Sequence, residues 1–196
     1  MKYKLMYPIF TVVLIISLGC QNPFSTREPE KPGTEGAAIK PPISPENVLY
    51  NLASSFEGLS IQDYLDVFSE DFAFNPDTED SLEYEEYFVN GWGIQNETEF
   101  ANNFLQPQNF TEGRTPIDFF ADYEFKPGEN MYEYNYTMFI SIKDTLATVA
   151  SRAEVEGRAW LYLREDGEGK WSIYRWVDFR LRSSSLTWGV LRVQNI

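Results

Sequence analysis

From Ile117 onward the hydrophobic pattern of this chain changes its period, and that change restricts the fold more than any other feature. Upstream, apolar residues recur every three or four positions, the spacing of one helix face; downstream they alternate, the spacing of a strand with one side against a core. Ser44-Pro45-Glu46 reads as a helix start, with a hydroxyl cap, a proline at the first helical position and an acid at the positive end of the helix dipole. Val48, Leu49, Leu52 and Phe56 then share a face, and Gly58 ends the helix. A second start at Ser60 carries Ile61, Tyr64, Leu65 and Phe68, and two shorter helices are expected over 81–89 and 98–105. The alternating region divides into strands over 117–125, 131–142, 148–164 and 171–180, joined by the turn sequences "KPGEN" and "EDGEGK". Helices followed by an antiparallel meander specify an α+β domain, a curved antiparallel sheet covered on one face by the N-terminal helices.

That order, with "YLDVFSEDFAFNPD" early and "WLYLREDGEGKWSIYRWVDF" late, resembles the NTF2-like (SnoaL-like) superfamily over residues 44 to 180. The most specific part is the late pattern Trp171, Ile173, Trp176, Asp178. The resemblance implies a cone-shaped sheet with a pocket between its concave face and the helices. It also implies that function stays open, because the superfamily holds isomerase-like and dehydratase-like enzymes beside non-catalytic modules. On the concave side, Ala153, Gly157 and Ala159 are small enough to leave a cavity, and Phe56, Tyr64, Phe68 and Phe104 either line it or fill it.

The first nineteen residues have the form of a secretory signal: a short basic head at Lys2 and Lys4, an apolar run from Leu5 to Leu18, and small Gly19. The run is shorter than the ~20 residues needed to cross a hydrocarbon core. Ser17-Leu18-Gly19-Cys20 resembles the lipobox of bacterial lipoproteins, although Ser17 stands where that motif prefers leucine. The resemblance implies that Cys20, the chain's only cysteine, receives diacylglycerol on sulfur and an acyl chain such as palmitate on the new amine. Such a protein sits on a membrane of the cell envelope, and Gln21 after the cysteine points to the outer membrane. Two or three acyl chains make attachment effectively permanent. Residues 20–43, with prolines at 23, 29, 32, 41 and 42, are expected to form a disordered tether, and the domain is expected to span 44–196.

Composition narrows the chemistry. The chain has no histidine, which removes imidazole acid–base catalysis, the Ser-His-Asp triad and the common zinc and iron ligand sets. A net charge of −14 repels phosphate backbones, so nucleic acid is excluded as a partner. Isomerase-type chemistry would need a buried aspartate beside a tyrosine, for which Asp178 with Tyr162 or Tyr174 can be considered. Strict alternation, however, puts Asp178 outward with Trp176 and Arg180, opposite a core set of Trp171, Ile173 and Val177. No catalytic motif transfers residue by residue, and no cofactor or metal is expected. The acidic run Asp77, Glu79, Asp80, Glu83, Glu85 and Glu86 lacks the spacing and central glycine of a calcium loop and reads as a solvated helix start.

The same alternation gathers Trp160, Tyr162, Tyr174 and Trp176 on the outer face of the sheet beside Arg152 and Arg158, a composition typical of interface centres. A strand bulge would instead turn some of these rings inward. The expected role is that of a membrane-anchored, non-catalytic ligand- or protein-binding module, with a second copy or an envelope protein as partner. The alternatives are a small-molecule enzyme using the cone pocket and a scaffold component of an envelope assembly. Leu181–Ile196, carrying "LTWGVLRV", is apolar enough to cover a sheet edge or to swap onto a partner.

Overall fold

The computed structural model describes residues 38–129, 131–143 and 151–196; Cys20, the signal-like run and most of the expected tether lie outside them. Helix α1 spans Pro45–Glu57 and α2 spans Ile61–Leu65. Strand β1 covers Phe68–Asn75, α3 Thr78–Glu83, α4 Glu85–Phe88, β2 Trp92–Gly93 and α5 Ile94–Phe104. Strands β3 (Ile117–Lys126), β4 (Met131–Ile142), β5 (Ser151–Glu165) and β6 (Trp171–Phe179) form the meander, and α6 spans Trp188–Val193.

Local chemistry sets the helix starts. Ser44 Oγ accepts from the Asn47 amide and Ser60 Oγ from the Asp63 amide, at 3.3 and 3.2 Å, each satisfying a first-turn N–H that the helix leaves free. Asp77 caps α3 and Thr187 caps α6 in the same way. Residues 38–43, expected within the tether, are docked on the domain. Asn51 exchanges two hydrogen bonds of 2.8 Å with the Lys40 backbone, and the Trp171 amide donates to Pro42 O at 2.7 Å.

The six strands lie in the order β2-β1-β6-β5-β4-β3. The meander is antiparallel as expected, but β1 runs parallel to β6, so the sheet is mixed. The "DFAFNPD" stretch supplies β1, burying Phe72 and Phe74 on alternate positions, and Phe68 belongs to this strand rather than to the helix before it. Helices α1, α2 and α5 cover the concave face, where Leu52, Phe56, Tyr64 and Phe100 meet Ile117, Met138, Val155, Leu161 and Ile173 in one core.

The sheet departs from strict alternation at one place that matters. Tyr162 pairs with Arg175 but Leu163 pairs with Ile173, so Tyr174 is an extra residue in β6. A bulge shifts everything beyond it to the opposite face. Ile173 points inward as expected, but so do Trp176 and Asp178, which are 0% and 1% exposed. Val177, expected in the core, pairs with Trp160 on the outer side. Trp176 therefore leaves the expected outer aromatic set, and Asp178 is a core residue rather than a surface carboxylate.

Candidate functional site

Helix α6 occupies the concave side of the sheet, where a ligand pocket was expected. Leu181, Arg182, Ser183 and Ser184 form an exposed connection after β6. The chain then returns beside β5, the Glu156 amide donating to Leu186 O at 3.0 Å, and turns inward. Trp188 stacks on Trp176 with ring centroids 5.2 Å apart and planes at 17°, and meets Phe56 edge-on at 5.3 Å. Leu181–Ile196 thus contributes to the centre of the core rather than to an edge cover, because its bulkiest apolar residue is accommodated among Phe56, Phe100, Tyr136 and Trp176.

Gly157 belongs to that accommodation: a Cβ there would overlap the Tyr136 ring and hydroxyl, so only glycine lets this tyrosine lie across β5. The Tyr136 hydroxyl donates to Asp178 Oδ1 at 2.8 Å and accepts from the Trp188 amide at 3.2 Å. Burial pushes the Asp178 carboxyl up to about 7, against the opposing pull of the Tyr136 hydrogen bond and the positive charge of Arg192. Burial and the neighbouring Asp178 together push the Tyr136 phenol well above its ordinary range. Among the described residues no side chain donates a hydrogen bond to Asp178 Oδ2. An aspartate whose carboxyl is pushed up toward neutrality beside a tyrosine is acid–base equipment. Here, however, the pair is sealed under Trp188.

A second polar group packs against α6 nearby. Glu97 on α5 and Arg192 on α6 are both fully buried and form a side-on pair, with Nε and Nη2 each 2.8 Å from a carboxylate oxygen. Glu97 also accepts from Trp92 Nε1 at 2.7 Å and from the Tyr64 hydroxyl. The Arg192 guanidinium lies 3.9 Å from the Phe74 ring centroid, 5.0 Å from Trp176 and 5.1 Å from Trp188. Asp80, expected to be solvated with the rest of the acidic run, is buried against Arg180 and the Thr187 hydroxyl. Glu79, Glu83, Glu85 and Glu86 are exposed, as a solvated helix start requires. Among the described residues no three acidic or sulfur side chains converge as a metal site would require.

The seven residues expected around a pocket divide between two environments. Phe56, Tyr64, Phe68, Gly157 and Ala159 are buried in the packed interior. Phe104 and Ala153 instead border an open cleft of about 720 Å³ between the end of α5, the end of β4 and α6, rimmed by Asn103, Gln108 and Gln194. The outer face keeps three of its four expected aromatics. Trp160 packs edge-on to Phe179 at 4.6 Å, with Arg158 over the Phe179 ring at 5.2 Å. Tyr162 and Tyr174 lie 6.1 Å apart, with Arg175 over the first and Arg164 over the second. Arg152 covers Phe139, and Phe120 beside it is 59% exposed.

A curved six-stranded sheet with a long β3–β6 meander and helices packed into its hollow decides the architecture. The domain is an α+β sheet curved around helices, the architecture that the sequence resemblance to the NTF2-like superfamily implies. Similar solved structures include a conserved protein from Planctomyces limnophilus (16% identity over 67% of this chain and 89% of that one, TM-score 0.49). The BvnE pinacolase from Penicillium brevicompactum is similar at 10% identity over 67% of this chain and 82% of that one, TM-score 0.48. A ketosteroid isomerase-like protein from Erwinia carotovora atroseptica is similar at 10% identity over 70% and 93%, TM-score 0.44. No family model matches the sequence, and no curated protein matches it.

Strict alternation turns Asp178 outward because it does not show the bulge at Tyr174, and Glu97 reads in the sequence as one more acid on a polar helix. The usable signal is Arg192, a lone charge inside the apolar run "WGVLRV", which has to find a buried partner.

Proposed function

We propose that this chain is a lipid-anchored protein of the bacterial envelope, attached through Cys20, whose NTF2-like cone works as a non-catalytic protein-binding module and docks partners on the outer face of its sheet. The observation that carries the reading is the filled interior: Trp188 and Arg192 of the chain's own α6 occupy the hollow in which an enzyme of this shape would hold its substrate. The aromatic and arginine lattice of Trp160, Tyr162, Tyr174, Phe139 and Phe179 supports it, since half-buried rings beside guanidinium groups suit the centre of a protein interface. One observation favours the enzymatic alternative, the buried Asp178–Tyr136 pair with Asp178 raised to about 7. Substrate could reach that pair only with α6 withdrawn.

The test places a photo-crosslinking residue at Tyr162 in the full chain in cells and compares it with a second probe at exposed Glu83 on α3. A discrete adduct from Tyr162, lost with Trp160→Ala and absent from Glu83, supports docking on the sheet. Equal labelling from both sites overturns it. Fractionation of Cys20→Ser tests the anchor: release from the membrane is expected, and full retention contradicts lipidation.

A further inference from the structure

We propose that the interior of the cone is a guanidinium-recognition site, occupied in this molecule by Arg192 in cis and able to take an alkylguanidinium from a separate molecule when that side chain is removed. The inference stands apart from the docking role of the outer face. All but two parts of the cage belong to the body of the domain: the Glu97 carboxylate from α5, its two neutral donors Tyr64 and Trp92, and the ring walls Phe74, Phe100 and Trp176. Only the cation and Trp188 arrive on α6, a six-residue helix reached through the exposed connection Leu181–Ser184.

The body fixes the carboxylate before any cation is counted. The Trp92 indole N–H and the Tyr64 hydroxyl hold one oxygen each, leaving the carboxylate plane aimed at the position where Arg192 delivers two parallel N–H bonds of 2.8 Å. An oriented carboxylate with rings above and beside it is how a planar delocalised cation is recognised, and an ammonium can use neither the fork nor the stacking as well. Without a guest the same carboxylate would be an unpaired charge at 0% exposure, so the cage selects strongly for an occupied state. The cage holds the Nε–Nη2 edge of the guanidinium, and among the described residues Nη1 has no hydrogen-bond partner.

The experiment uses the full chain with Arg192→Ala and follows thermal unfolding during titration with ethylguanidinium chloride in the millimolar range at constant ionic strength. Propylammonium chloride, the unsubstituted protein and an Arg192→Ala/Glu97→Gln double variant serve as controls. A saturable rise in Tm of several degrees in Arg192→Ala alone, with propylammonium several-fold weaker, is the expected result. A folded Arg192→Ala protein showing no saturable shift, or the same shift in the double variant, overturns the proposal. Should Arg192→Ala not fold unaided, recovery of soluble protein on refolding with ethylguanidinium becomes the readout: recovery absent from the double variant supports the site, and no recovery contradicts it.

Discussion

Replacing Asp178 by asparagine should change the pH dependence of stability in a calculable way. The carboxyl titrates near 3.8 in an unfolded chain and at about 7 in the fold, where burial disfavours its charge. The folded state therefore holds the proton more tightly, and stability falls as pH rises from about 4 to about 7, then levels off. A separation of about three pH units at about 1.4 kcal/mol each makes the ionised carboxylate about 4 kcal/mol unfavourable above neutrality. Asparagine keeps an oxygen for the Tyr136 hydroxyl and never ionises. Urea unfolding of both proteins from pH 5 to pH 8 should show the variant's advantage widening by about 2.5 kcal/mol across that range, with the slope of stability against urea unchanged. Parallel pH profiles would refute the reasoning, because they would mean that the Asp178 carboxyl is solvated in the folded protein.

Two further substitutions read the sheet directly. Trp176→Ala should destabilise the domain by about 3–5 kcal/mol through the cavity it leaves beneath Trp188, whereas Trp160→Ala on the outer face should lose well under half of that, both measured by chemical denaturation. Gly157→Ala should lower stability by about 1–3 kcal/mol, because the new methyl displaces Tyr136 from Asp178. Tyr136→Phe in the Gly157→Ala background should recover part of that loss, since it removes the atom nearest the methyl.

The helix-to-strand order, the meander and most element boundaries were legible because period and capping are local signals: Ser44, Ser60 and the two turn sequences each act within a few residues. What was not legible rests on one residue and on tertiary choice. A single inserted residue at Tyr174 reversed the facing of Trp176 and Asp178, and nothing in an alternating run marks which residue will be extra. Strand β1 was obscured because its pairing partner β6 lies about a hundred residues away and its own run is interrupted by charged Glu70 and Asp71. How full the cone's interior is was not legible for a volumetric reason. Small side chains at Ala159 and Gly157 do leave room, but the sequence does not say that Tyr136 and the Trp188 of α6 are what fills it.

Amide hydrogen exchange resolved by residue tests the filled interior most directly. The Trp188 N–H donates to Tyr136 and the Leu191 N–H to Thr187 O at 3.0 Å, both within the core. They should exchange orders of magnitude more slowly than the amides of Ser183 and Ser184 and close to those at the centre of β5. Exchange of Trp188 and Leu191 at the rate of the exposed connection would mean that the hollow stands open in solution, and the account of a sealed cone would be wrong.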